Sequence, residues 1–424
     1  MYPKQYIAMK RNPDALCAKY VIDGAAHDVT PADMLDECMM PSSSRAGQSG
    51  EDMPEIWDET VDTPPENMSC MVEDIPIYIK KVTAAATAAQ DRGFDLLYPE
   101  SFTRQRVASA LIDTLWLDGE FRLDDLRLWA EWNWNPGPVG NMSAFYASVQ
   151  SATEYIYDLG VEIQGYLYDE GEGECLNSYF TTLSTFPDGD EQADDMAEIE
   201  DVPDKDWEED DAPVTDSLWT VGGCSDIDLD EGRDVWMGDG RKCSAHLAGT
   251  AGSGSFLVYV PFDTCTPKLG GSLLAKTLGL SAGAAPQISD PDYFIDCYEV
   301  VRDLVSDGVV LSARTVCDGG LAVAAEKLSA GSEAGIRLNV NGICGASGET
   351  DMVKVLFAEI PGVLLQIDDN DSDYIDSQFL LQDVAYYRVG RPDPSLQGVE
   401  VAPESNGVDR ILASLLADSS EGED

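Results

Sequence analysis

Positive charge is what this sequence has least of. Its 424 residues carry 26 Lys and Arg against 79 Asp and Glu, a formal net charge of −53. Such a surface repels phosphate backbones and anionic headgroups, which excludes nucleic acid and an anionic membrane as direct partners. Histidine is nearly absent as well. His27 and His246 are the whole complement, leaving little capacity for imidazole acid–base chemistry. The ten cysteines form no C-x-x-C pair, so zinc is not expected. No cationic leader precedes an apolar run and no apolar stretch reaches transmembrane length. The expectation is a soluble, cytoplasmic protein with free thiols in a reducing compartment.

Two motifs that look functional also lack a needed part. The glycine-rich run Gly249-Thr-Ala-Gly-Ser-Gly-Ser255, beside His246, has no Gly-Lys-Ser/Thr ending to place a lysine on phosphate, and it reads as a flexible linker. Asp226-Ile-Asp-Leu-Asp-Glu-Gly232 resembles a calcium loop. Glu231 stands where that loop needs glycine and Met237 where it needs the bidentate acid, so a solvated acidic turn is expected.

Apolar content, by contrast, is ample. Hydrophobic residues make up 44% of the chain, with eight Trp and seventeen Tyr, enough for a substantial core. Acid is concentrated instead: fourteen of the positions from Asp188 to Asp211 are acidic and Lys205 is the one base, a composition that cannot pack. The acidity fits a high-salt, halophilic interior or solvated acidic loops. The chain divides into an irregular arm (1–68), a first α/β domain (69–186), an acidic insertion (187–250), a second α/β domain (251–392) and an acidic tail (393–424).

Within the first domain Met71–Lys80 reads as a strand that carries Asp74 among apolar neighbours. A helix follows over Phe102–Leu117, a strand over Leu126–Trp132, and an amphipathic helix over Met142–Leu159 with Gly160 as its stop. Trp132 and Trp134 are expected in core or interface. The second domain alternates strands (255–262, 309–313, 335–340, 362–367, 384–389) with helices (271–280, 291–305, 351–359, 373–381).

One stretch organises that second half: Thr315-Val-Cys-Asp-Gly-Gly-Leu-Ala-Val-Ala-Ala-Glu-Lys-Leu328. Asp318, Gly319 and Gly320 close a strand and open a helix. Free backbone N–H groups and the helix dipole there suit an anion, and glycines admit close approach. An ordinary N-cap with tightly packed glycines is the simpler reading of the same residues.

Three motifs in order, Leu269-Gly-Gly-Ser-Leu-Leu-Ala-Lys, Asp318-Gly-Gly-Leu-Ala-Val-Ala-Ala-Glu-Lys-Leu and Leu356-Phe-Ala-Glu-Ile-Pro-Gly-Val, carry a family resemblance. So do Val72-Glu-Asp-Ile-Pro-Ile and Arg106-Val-Ala-Ser-Ala-Leu-Ile-Asp upstream. Together they resemble the C-terminal PurM-like (AIR synthase-related) half of phosphoribosylformylglycinamidine synthase, over about 71–391. The resemblance implies a two-domain PurM-like α/β fold. Its N-terminal domain would pair into a barrel with a partner copy, as a homodimer or with another PurM-like chain, and its C-terminal domain would be an α/β sandwich.

It also implies an activity, in which ATP and Mg²⁺ phosphorylate an amide oxygen and ammonia displaces the phosphate. The motifs align Asp74 and Asp113 with metal ligands, and Gly270, Gly271, Asp318, Gly319 and Gly320 with nucleotide-binding backbone. Departures are as informative. Ser109 replaces a metal-binding Glu and Asp113 an Asn; Tyr166-Leu-Tyr-Asp169 replaces Gly-Lys-Asp-Ser; Arg314-Thr-Val-Cys317 replaces His-Asp-Arg-Ser. Neither a glutaminase portion nor the family's substrate-binding half is found. The expectation is a retained fold with abandoned catalysis, acting as a structural or interaction protein with protein partners. The alternatives are an ATP-dependent subunit of a split synthase and a binder of a nucleotide or small phosphorylated ligand. Degenerate copies of this synthase occur as gammaherpesvirus tegument proteins, and Phe357-Ala-Glu-Ile-Pro-Gly-Val resembles those too, which adds a viral, virion-associated reading.

Overall fold

A computed structural model of the chain describes residues 13–40, 72–88, 93–117, 121–171, 176–185, 218–223, 241–249 and 254–402. The acidic run from Asp188 to Asp211 and the calcium-loop look-alike at 226–232 lie outside the described residues. The described residues begin with a short helix α1 (Pro13–Leu16), a small hairpin β1 (Tyr20–Ile22) and β2 (Ala25–His27), and helix α2 (Pro31–Cys38). Thr30 and Asp33 form a reciprocal capping box that starts α2 after a proline-led first turn. These residues belong to the range read as an irregular arm. They are instead docked, because Leu35 and Cys38 are buried in the main core and Cys38 donates to the backbone carbonyl of Thr153.

A second difference concerns 71–80. Helix α3 (Ile75–Ala88) stands where a strand was expected. Its buried residues, Ile75, Tyr78, Ile79, Val82 and Ala86, recur at helical spacing, and the alanines beyond Lys81 favour helix. Pro76 is tolerated because a first-turn N–H has no intrahelical partner to lose. Helix α4 (Pro99–Ile112) ends at Asp113.

The first sheet combines β3 (Leu126–Trp134), β4 (Glu162–Glu170), β5 (Asn177–Thr185) and β6 (Leu218–Gly223) in the order β4-β3-β5-β6. Helix α5 (Asn141–Asp158) connects β3 to its parallel neighbour β4, and Gly160, at φ 71°, ends the helix as expected. Burial along β3 alternates strictly, so Leu126, Leu128, Ala130, Trp132 and Trp134 face the core. Both tryptophans sit in an aromatic group with Phe145 and Phe180, and their indole N–H groups donate to Ser148 and to the Asn141 carbonyl.

The second sheet has six strands: β7 (Ser255–Pro261), β8 (Val310–Val316), β9 (Gly335–Leu338), β10 (Gly362–Asp368), β11 (Tyr387–Asp393) and β12 (Val399–Val401). Their order is β12-β9-β11-β7-β10-β8, antiparallel except where β12 runs parallel to β9. Val399 to Val401, inside the range read as tail, are thus a sheet edge. The central strands β7 and β10 are buried on both faces and read as continuous apolar runs.

One face of this sheet, through Phe256, Val258, Val260, Val363 and Leu365, joins the core of the first sheet and helix α7 (Pro291–Ser306). The other, through Leu257, Tyr259 and Leu364, packs α3 with α6 (Leu273–Leu278), α8 (Gly320–Ser329), α9 (Asn341–Ser347) and α10 (Met352–Phe357). Helix α11 (Ser372–Leu381) follows β10. The architecture is mixed α/β in two helix-covered sheets, the fold class expected. Among the described residues no helix is long and apolar enough to cross a membrane.

Asp393 on β11 accepts from the Ser395 hydroxyl and amide and pairs with Arg337 on β9 at 3.0 Å, and these contacts hold its carboxyl down to about 2. A depressed carboxylate stabilises the fold above its ordinary pKa of about 3.9 and loses that contribution as pH falls toward about 2. Replacing Asp393 with Asn is expected to flatten the acid limb of stability between about pH 4 and pH 2, read as urea midpoints against pH for the two proteins.

Candidate functional site

The Asp318-Gly-Gly turn closes β8 and opens α8 as the sequence indicates. Gly319 is the N-cap at φ 81° and Gly320 follows at φ 67°. A Cβ on Gly320 would come within 2.7 Å of the Ala358 carbonyl oxygen, so the turn needs glycine both for conformation and for close packing on the end of α10. The second glycine pair belongs to the same place. Gly270 lies against the backbone of Ala284, Gly271 sits at φ 73°, and Ser272 caps α6 by accepting from the Ala275 amide.

Between the two turns stands Glu359, only 5% exposed. Its Oε1 accepts the backbone N–H of Gly319 and that of Leu273, each at 2.8 Å. One carboxylate oxygen therefore holds the starts of both α8 and α6, where dipole ends and unsatisfied N–H groups favour negative charge. Gly270, Gly271, Gly319 and Gly320 are brought together around this carboxylate. Asp318 is half-buried beside it. The anion that this turn attracts is a side chain of the chain itself.

The acidic candidates are held apart. Asp113, half-buried, caps the end of α4, and its Oδ1 accepts from the Thr315 hydroxyl on β8. The same hydroxyl oxygen accepts from the Trp116 indole at 2.9 Å. Asp74 precedes α3 on the opposite face of the larger sheet and accepts from Tyr78 at 3.4 Å. Tyr78 in turn meets Phe357 edge-on. Among the described residues no group of three or more His, Cys, Asp or Glu side chains is arranged to hold a metal. Tyr168 is buried against Phe145, while Tyr166 reaches Asp36 on α2.

A crevice opens beside the glycine pair, lined by Asp95, Tyr98, Gln105, Gly271, Ser272 and Glu359. Its interior holds about 10 Å³, room for a water molecule. Lys276 pairs with Asp95 at 3.1 Å. His246 stands on a segment tied to the sheet: Leu247 N–H donates to the Leu328 carbonyl, and Gln366 accepts from the Ala248 N–H and donates to the Ala248 carbonyl; of the run 249–255 read as a linker, residues 250–253 lie outside the described residues. Glu359 itself was missed as a site residue. The available signal was an acid alone in the apolar run from Val355 to Val363.

No family model matches the chain. A probable phosphoribosylformylglycinamidine synthase of Arabidopsis thaliana, chloroplastic or mitochondrial, is 23% identical over 295 residues, covering 70% of this chain and 18% of the relative. The human synthase is 26% identical over 115 residues, 27% of this chain and 8% of the relative. The chain is a sequence relative of phosphoribosylformylglycinamidine synthase. It spans less than a fifth of the length of either enzyme. Among solved structures, Thermotoga maritima PurL complexed with ATP superposes with a TM-score of 0.45 at 10% identity, covering 73% of this chain and 40% of PurL. The hydrogenase maturation protein HypE of E. coli gives 0.40 at 14% identity, covering 73% and 82%.

Because Glu359 satisfies two buried backbone donors, Glu359→Ala is expected to lower stability by about 2–4 kcal/mol. Glu359→Gln keeps an acceptor but loses the charge, and is expected to cost about 1 kcal/mol. Gly320→Ala, strained in φ and blocked by the Ala358 carbonyl, should cost at least about 1–3 kcal/mol. Denaturant unfolding of the three variants beside the parent checks the order.

Proposed function

We propose that this synthase relative does not turn over ATP and acts as a structural or interaction protein on a retained PurM-like α/β scaffold. The observation that carries the reading is the Glu359 carboxylate, which takes up the helix-start N–H groups a phosphate would need. A nucleotide phosphate arriving there would have to displace a buried, doubly bonded carboxylate of its own sign. Three further features support it. Asp113 is committed to Thr315, Asp74 lies in another layer, and Ser109 is buried without a partner where the resemblance aligns a metal-binding Glu. Thermotoga PurL has been solved with ATP and with ADP. Transferred to this chain, ATP and Mg²⁺ meet a residue set that does not fit them, and no step is derived through them.

Interaction is the remaining use of such a scaffold. The outward row of β3, Arg127, Trp129, Glu131 and Asn133, is half-buried rather than fully solvated, and a copy of this chain or another PurM-like chain is the partner it suits.

With MgATP, phosphate release by the purified chain is expected to match the blank, and Asp74→Asn and Asp113→Asn are expected to leave it there. Hydrolysis that vanishes in Asp74→Asn would sink the reading in favour of an ATP-dependent subunit of a divided synthase. Light scattering on the eluted protein gives the second check, with a dimer expected.

A further inference from the structure

Helix α3 shows solvent a face of unusual charge for this chain. From Ile75 to Ala88 it contains two lysines and no acid, although the sequence as a whole has 79 Asp and Glu against 26 Lys and Arg. Ile77, Lys81, Ala84 and Ala88 follow one another at helical spacing along an exposed line, with Lys80 beside them. Among the described residues neither lysine makes a hydrogen bond or an ion pair. Ile77 is 51% exposed. The opposite side of the helix is buried against α6 and α8.

The described chain ends next to this helix. Strand β12 lies against α3, Val399 and Val401 pack onto the core that α3 covers, and the Ala402 N–H donates to the Leu338 carbonyl. Residues 403–424, the rest of the acidic tail, lie outside the described residues. Their sequence carries more than charge. Val408, Ile411, Leu412, Leu415 and Leu416 recur at the three- and four-residue spacing of an apolar stripe on a helix. At about 100° per residue, Asp409 and Asp418 fall on the two borders of that stripe and Arg410 on the far side. Residues 403–407, extended, reach roughly 16–18 Å. Helix α3 itself is about 21 Å long, so the stripe can meet it while β12 stays paired.

We propose that residues 408–418 form an amphipathic helix that docks on the exposed face of α3 in the same chain. Its stripe would lie over Ile77, Ala84 and Ala88, with Asp409 and Asp418 beside Lys80 and Lys81. Small side chains let two helices approach closely, and an apolar stripe seated on an apolar face is a common mode of helix recognition. Charge selects the place, because an acidic segment is repelled by most of so acidic a surface and attracted by a face that has lysines alone. The docking stands whether or not the chain hydrolyses ATP.

The test is amide hydrogen exchange of the full chain, read by mass spectrometry, with a synthetic peptide of residues 403–424 as the unprotected reference. A helix this short is marginal in water by itself, so slow exchange across it reports docking. Amides of 408–418 are expected to exchange at least about tenfold more slowly in the chain than in the peptide. Lys80→Glu with Lys81→Glu should remove most of that protection, and adding Asp409→Lys with Asp418→Lys should restore it. Leu412→Asp with Leu415→Asp should abolish it and leave exchange in both sheets unchanged. Peptide-like exchange in the parent overturns the proposal, as does protection that survives either the lysine or the leucine pair of changes. Protection that grows with protein concentration would seat the segment on a second copy and overturns docking within one chain. Should the lysine-reversed chain fail to fold, Lys80→Ala with Lys81→Ala takes its place, with the same loss expected.

Discussion

A single oxygen of Glu359 joins two backbone amides that lie forty and eighty-six residues away in the chain. Much of the larger sheet's helical layer hangs on that junction. Helix α8 can start where β8 ends only because Gly319 and Gly320 turn sharply, and that turn can press onto α10 only because Gly320 has no side chain. The pressing leaves amides buried with no backbone partner, and a carboxylate placed just after α10 answers them. Negative charge is favourable there because two helix starts converge on it. Burial, turn geometry and charge thus form one requirement rather than three.

Most of the second half was legible from periodicity. The strands at 255–261, 310–316 and 362–368 and helices at 291–306 and 320–329 have long, clean apolar patterns, and tertiary packing only reinforces them. The failures have particular causes. Ile75-Pro-Ile-Tyr-Ile79 is β-branched and aromatic enough to read as strand in a short window, and its helical period shows only when Val82 and Ala86 are included. Val399-Glu-Val401 is too short to announce itself, and its pairing with β9 depends on a long-range parallel contact. The site was half legible: the glycine turns could be read, since turn chemistry is local, whereas the filling of the cradle could not. Glu359 sits in a motif already noticed, but only the approach of α6, α8 and α10 in space gives it donors. The bond from Thr315 to Asp113 likewise spans 202 positions and leaves no local trace.

With so few bases, where they are spent matters. Arg127 ties β3 to Glu162 on β4 at 2.9 Å, Arg104 reaches Glu154 on α5, and Arg388 holds Asp376 on α11. Each arginine joins separate elements, a use that suits a planar, permanently charged fork. Carboxylates far outnumber these partners, so most of the acid has to remain in solvent, where salt screens it. Among the described residues not every arginine is used this way: Arg106 is 5% exposed on α4 and lies over the Phe102 ring.

The pairing of β12 with β9 has a further meaning for how this molecule can meet others. An open sheet edge offers a row of unclaimed amides and carbonyls that another chain can extend. Here one rim of the larger sheet ends in the three-residue strand 399–401, and at the opposite rim Ser244 forms a parallel bridge to Ser312 and exchanges backbone bonds with Leu311 and Ala313. The outermost strand is short, and one of its amides, that of Val399, is already taken by the Glu326 carboxylate. Such an edge gives an incoming strand little generic main chain to extend, so recognition of a second chain falls more to side chains, whose identity decides what binds.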